Sequence, residues 1–318
     1  MKRLLLFLLL VQFICTLTLE AKVPECIVSG QPTTATGGIY FTGGTVPLTA
    51  YQAGTTPAVF SMPIYVNCNI NKDVAGKFLT LPQLSDGLGN NIPITYSYTS
   101  VPTGIEVAIT AATWVEILPN GEPQLRDGAS VVGYINIIAP ALPITQISGS
   151  YTTGAISADI AVDAQTIPST QLASITLNGS VDEFIILGFA DTSLLGAGVY
   201  FVGDIIDFGI LVAGSTPPPI SKNLFVHTNK NANIQVTFMD TPPLLSTVDG
   251  VSTIGMNYSY NLNSVAADVI AGVPIVAVNG VSSGTASVGT ITFSPNALPG
   301  SQIEGAYTAT VSVTVSAM

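Results

Sequence analysis

The chain has 318 residues, of which only 8% are charged, and acids outnumber bases for a formal net charge of −11. So few Lys and Arg exclude nucleic-acid binding, which needs cations to neutralise phosphates. The 30 Gly and 21 Pro, with abundant Thr, Ser and Val, favour short strands and many turns over helices.

Residues 1–21 read as a secretory signal. Lys2 and Arg3 form a basic start and residues 4–19 an apolar run, with cleavage expected after Ala21. That run is short for a membrane span, the alternative reading. Cys15 lies inside it, so export leaves Cys26 and Cys68 as the only thiols. Two cysteines in an oxidising compartment predict one disulfide.

The remaining chain repeats itself. Gly37-Gly38-Ile39-Tyr40-Phe41 returns as Ala197-Gly198-Val199-Tyr200-Phe201. Ala53-Gly54-Thr55-Thr56-Pro57 returns as Ala213-Gly214-Ser215-Thr216-Pro217, and Tyr65-Val66-Asn67 as Phe225-Val226-His227, all at one offset of 160. Thr95-Tyr96-Ser97-Tyr98 matches Asn257-Tyr258-Ser259-Tyr260. Gly149-Ser150-Tyr151 matches Gly305-Ala306-Tyr307. The expected organisation is a signal at 1–21, a domain at 22–165, a linker with a further strand at 166–183, and a second domain at 184–318.

Strands are expected at 60–66 and 224–226. Period-two alternation marks Ile156, Ala158, Ile160 and Val162 in the first half and Ala309, Val311, Val313 and Val315 in the second. Asp86-Gly87, Asn120-Gly121, Asp127-Gly128, Asp249-Gly250 and Asn279-Gly280 are turn signals. The expected fold class is all-β: two tandem immunoglobulin-like sandwiches, with a barrel as the alternative.

The halves differ at one place. Aligned on the repeat, the second half has a lead-in at 170–183, preceded by Pro168, in which Ile175, Leu177, Gly179 and Val181 alternate with polar residues. On pattern alone it is a strand, and the plain reading makes it the first strand of the second domain. Ile175-Thr176, Ser180-Val181-Asp182, Asn279-Gly280-Val281-Ser282-Ser283 and Gly305-Ala306-Tyr307 resemble the pilins of alpha-class chaperone–usher fimbriae, the colonisation-factor-antigen type, over 170–318. Through its early Cys and Tyr65-Val66-Asn67-Cys68, the first half more loosely resembles the spore-coat-U type pilin domain, lacking that family's N-terminal extension.

The resemblance implies a sandwich without its last strand. Its groove is filled first by a periplasmic chaperone and then, at an outer-membrane usher, by a strand of another fimbrial subunit. On this chain, Ile175, Leu177 and Val181 are expected to complete the first domain in cis. The groove beside Ala309, Val311, Val313 and Val315, ending at Met318, is expected to be filled in trans. That polarity implies a tip adhesin or initiating subunit, exported through the periplasm to a fimbrium or the cell surface. A shaft or secreted coat subunit without receptor binding is the alternative.

No catalytic constellation stands out, so no enzyme, cofactor or metal is expected. His227 is the only histidine, and nothing marks a nucleophile for it to serve. Asp204 and Asp207 are two loop carboxylates, short of a cation site. Trp114 and Arg126 form the candidate receptor-binding pair. The competing reading puts Trp114 in the core, in a strand at 113–117, with Arg126 paired to a surface acid.

Overall fold

The computed structural model describes residues 24–163, 165–166, 174–193 and 198–318. The expected signal and the part of the linker holding Pro168 lie outside them. The strands of the first half are β1 (Cys26–Ser29), β2 (Ile39–Thr42), β3 (Gly44–Tyr51), β4 (Phe60–Cys68), β5 (Val74–Phe78), β6 (Leu84–Ser85), β7 (Asn91–Ile92), β8 (Thr95–Ser100), β9 (Glu106–Ile109), β10 (Val115–Leu118), β11 (Asp127–Ile138), β12 (Gly149–Val162), β13 (Gln165–Thr166) and β14 (Ser174–Val181). One sheet runs β2-β1-β4-β11-β8-β9, and the facing sheet runs β10-β5-β12-β14-β3.

The second half contributes β15 (Ile185–Gly188), β16 (Val199–Val202), β17 (Ile220–Thr228), β18 (Asn233–Phe238), β19 (Leu244–Ser246), β20 (Thr253–Ile254), β21 (Met256–Leu262), β22 (Val265–Asp268), β23 (Ile275–Asn279), β24 (Ser282–Pro295), β25 (Tyr307–Thr308) and β26 (Val313–Ala317). Its first sheet, β16-β15-β17-β24-β21-β22, repeats the order of the first half position by position. Its second sheet, β23-β18-β26, matches β10-β5-β12 and stops where the first half continues into β14 and β3. The only helix among the described residues is a single 3₁₀ turn, Pro123–Leu125. The sheets form two separate sandwiches and close no barrel.

The repeat holds down to single hydrogen bonds. Tyr151 Oη donates to the Ile147 carbonyl and accepts from Gln146; Tyr307 does the same with Ile303 and Gln302. Tyr96 Oη donates to the Pro82 carbonyl, and Tyr258 Oη to that of Pro242. The five expected turn glycines all adopt positive φ, which costs glycine no Cβ clash. Gly128 lies inside β11 rather than between strands, at a register shift against β4, the signature of a bulge.

Alternation buries one face of the longer strands such as β4 and β17. Ile64, Ile160 and Leu177 belong to the first core, and Leu224, Val236 and Ile291 to the second. β15 serves both: Ile185 and Leu187 enter the second core while Phe184 and Ile186 join the first. Cys26 and Cys68 face each other on β1 and β4 and are disulfide-bonded.

Candidate functional site

The first half shows a strand in a place that the second half leaves empty. β14 pairs antiparallel with β12, Ile175 opposite Ile156 and Val181 opposite Gly149. On its other edge it runs parallel to β3, Ile175 opposite Gly44 and Val181 opposite Tyr51. Its inward residues Ile175, Leu177 and Val181 are 2%, 1% and 3% exposed. The Leu177 amide donates to Thr153 Oγ1 at 3.0 Å. β14 is therefore an interior strand of the first sandwich, and the alternative placement as an edge of the second is not what the chain adopts.

In the second half, β26 pairs with β18 as β12 pairs with β5. Val313 lies opposite Phe238 as Ala158 lies opposite Phe78, and Ala317 opposite Ile234 as Val162 opposite Val74. The other edge of β26 has no strand neighbour among the described residues. Val311, Val313 and Val315 are only half-buried and Ala309 is exposed, whereas Ile156, Ala158 and Ile160 are buried. The sequence alternation begins at Ala309, yet the strand begins at Val313. Without a neighbour, 309–312 lacks half of its ladder.

The opposite wall is 203–211, the repeat of the segment that forms β3. Here it is not a strand, and Ile205 is 83% exposed. Between the walls lies an open cavity of about 660 Å³, floored by Phe201, Phe208, Phe238 and Phe293 with Tyr307 and Val311 at its side. At one end the walls touch: Leu211 and Gly305 exchange backbone hydrogen bonds, Leu211 N to Gly305 O at 3.0 Å and the reverse at 3.2 Å. Leu211 repeats Tyr51 and Gly305 repeats Gly149, so this contact takes the place that Val181 occupies in the first half. Sequence reading missed the 203–211 wall; the common offset of 160 was the signal that places it on β3.

Charge is confined to the rim. Lys222 Nζ sits 2.7 Å from an Asp204 carboxylate oxygen and holds that carboxyl below its ordinary range. Asp207 accepts the Gly209 amide at 2.7 Å. No cluster of three metal-ligating side chains occurs among the described residues. Below the groove, burial chiefly pushes the Tyr258 phenol up to about 12, with Asp240 adding to it.

The other sequence candidates fall elsewhere. Trp114 precedes β10, is 37% exposed, and has Lys77 Nζ 4.7 Å from its ring centroid; Lys77 also pairs with Asp159 at 3.3 Å. The core reading of Trp114 does not hold, because β10 starts one residue later. Arg126 is 5% exposed, with Nη2 donating to the Pro119 carbonyl. It is neither a surface residue nor joined to Trp114 by a hydrogen bond or ring contact. His227 is fully buried, Nδ1 2.8 Å from the Thr192 carbonyl and its ring edge-on to Phe184.

No family model and no curated protein matches this sequence. Solved structures do resemble it. One is the CsuC–CsuE chaperone–tip adhesion subunit pre-assembly complex from archaic chaperone-usher Csu pili of Acinetobacter baumannii, with 10% identity over 87% of this chain and 98% of that one, TM-score 0.46. Another is CfaE, the adhesive subunit of CFA/I fimbria of enterotoxigenic Escherichia coli, with 11% identity over 87% and 98%, TM-score 0.33. The CooA pilin subunit from enterotoxigenic Escherichia coli matches 43% of this chain and 90% of its own, with 20% identity and TM-score 0.30. These likenesses are loose.

Proposed function

We propose that this chain is a two-domain subunit of a chaperone–usher fimbria, assembled by strand insertion. The observation that carries this is β14: it fills in the first half the place that stands empty, with an apolar floor, in the second. An unfilled sheet edge beside an apolar groove is an aggregation hazard that needs a partner. The partner that fits is a β-strand, because its backbone completes the ladder of β26 and its alternate side chains enter the cavity. A periplasmic chaperone would supply that strand first and another fimbrial subunit later, with the outer-membrane usher as the site of exchange.

The chain's own strand of this pattern is committed inside its first half. The second half offers other subunits an acceptor groove, and this, with β14 committed in cis, favours the position of tip adhesin or initiating subunit. Receptor binding then falls to the first half, where Trp114 is the exposed aromatic of the expected pair. The test is a chain with a copy of 170–183 fused after Met318 through a short flexible linker, which holds a fitting strand at high effective concentration. The fusion should melt higher and no longer require a co-expressed chaperone for solubility. An unfused protein that is soluble, monomeric and melts no lower than the fusion refutes the proposal.

A further inference from the structure

One pair of glycines separates the filled groove from the empty one. A Cβ on Gly43 would meet Ile175 Cγ1 at 2.5 Å and Cδ1 at 3.2 Å, so only glycine lets the isoleucine of β14 lie flat on that wall. The repeat puts Gly203 in the same place, between the Tyr40/Tyr200 and Ala53/Ala213 matches at the same offset. A Cβ on Gly203 meets nothing within 4 Å, and its φ lies outside the left-handed region. Neither crowding nor backbone conformation asks for glycine there, although glycine costs chain entropy on folding. Gly203 lines the cavity.

We propose that Gly203 is the seat for a branched side chain of the incoming strand and so selects which strand enters. This rests on the strand-insertion reading above. The neighbouring seats follow from the register of β14. The strand runs antiparallel to β26 and parallel to 203–211. Its first inward residue is large and branched, lying over Gly203 and opposite Val311, the repeat of Ile156. The next inward residue, two further on, is large and rests on Phe238 and Phe293, which stand where Phe78 and Ile137 stand beneath Leu177. The third is Gly or Ala, because Tyr307 takes the place of Tyr151, the cross-strand partner of Gly179. The class of partner is thus a strand patterned large, polar, large, polar, small.

The experiment uses the full chain with 174–183 fused after Met318 through a flexible linker as long as 163–173, the connection between β12 and β14, and reads hydrogen exchange at the amides of 309–315. The parent fusion should be protected about tenfold or more over the unfused chain, and Gly203→Val should remove that protection by overpacking the seat. Replacing the donor copy's isoleucine, the copy of Ile175, by Ala in the Gly203→Val fusion should restore it. Gly203→Val in the unfused chain should leave the melting temperature unchanged. If the Gly203→Val fusion is as protected as its parent, or the substitution lowers the melting of the unfused chain, the seat is wrong while the groove stands. If the parent fusion itself gains no protection, the strand-insertion reading fails and the seat with it.

Discussion

Truncating Leu177 tests whether β14 belongs to the first sandwich. Leu177 is 1% exposed, and the void beside it that it shares with Met62, Ile156 and Ile175 is about 10 Å³. Neighbours fixed in two sheets cannot collapse onto the space that Leu177→Ala leaves, so the cost combines lost transfer energy with a cavity term. That is roughly 3 kcal/mol for a well-packed leucine. For a domain of this size it lowers Tm by roughly 6–12 °C. Trp114 is the only tryptophan and lies in the first half, so its fluorescence reports that half alone. Thr176→Ala, on the outward side of the same strand, should shift the melt by no more than about 0.5 kcal/mol equivalent. Leu177→Asp should abolish the first transition altogether, because it places an unpaired charge in the core. If Leu177→Ala leaves the Trp114 transition where it was, β14 does not hold the first sandwich together.

Three further outcomes follow from the same geometry. Non-reduced peptide mapping should recover Cys26 linked to Cys68, and reduction should lower the Trp114 transition, since opening a loop of 42 residues releases roughly 4 kcal/mol of chain entropy; free thiols at both positions in exported protein would contradict this. Tyr258 keeps its proton to about 12 in the folded chain, against about 10 when unfolded. Its contribution is therefore complete below about pH 10 and is lost as pH rises towards 12, so Tyr258→Phe should flatten the alkaline fall in second-half stability. Breaking the Lys222–Asp204 pair by Lys222→Gln should change stability by less than about 1 kcal/mol, as exposed pairs do; a larger loss in thermal melts would mean that this rim contact organises the groove.

Much of this architecture was legible where one face of a strand is buried. β12 announced itself through Ile156, Ala158, Ile160 and Val162, and β14 through Ile175, Leu177 and Val181 together with its lack of a counterpart in the repeat. The 203–211 wall was not legible. Gly203-Asp204-Ile205-Ile206-Asp207 has no alternation, and it forms no regular strand among the described residues. β26 is shorter than its sequence pattern, which starts at Ala309 while the pairing starts at Val313, and its other edge has no strand neighbour among the described residues. Trp114 and Arg126 exchanged their expected environments for local reasons. β10 begins at Val115, leaving the indole outside, and the buried guanidinium turns inward to the Pro119 carbonyl. Neither event leaves a periodic trace.

The connection from β14 to β15 is three residues long, and every part of it is tied down. The Asp182 amide donates to the Tyr51 carbonyl, the Phe184 amide to Asn229 Oδ1, and Asn229 Nδ2 to the Asp182 carbonyl. Asn229 also accepts the Ser148 amide through its own carbonyl, and Lys230 reaches Glu183 at 2.6 Å. With Phe184 and Ile186 in one core and Ile185 and Leu187 in the other, the junction has no slack to pay out under tension. A pull applied at the groove of the second half reaches the first half as shear across packed strands rather than as the straightening of a tether. The pair should therefore behave under load as one stiff link, yielding only when a sheet gives way.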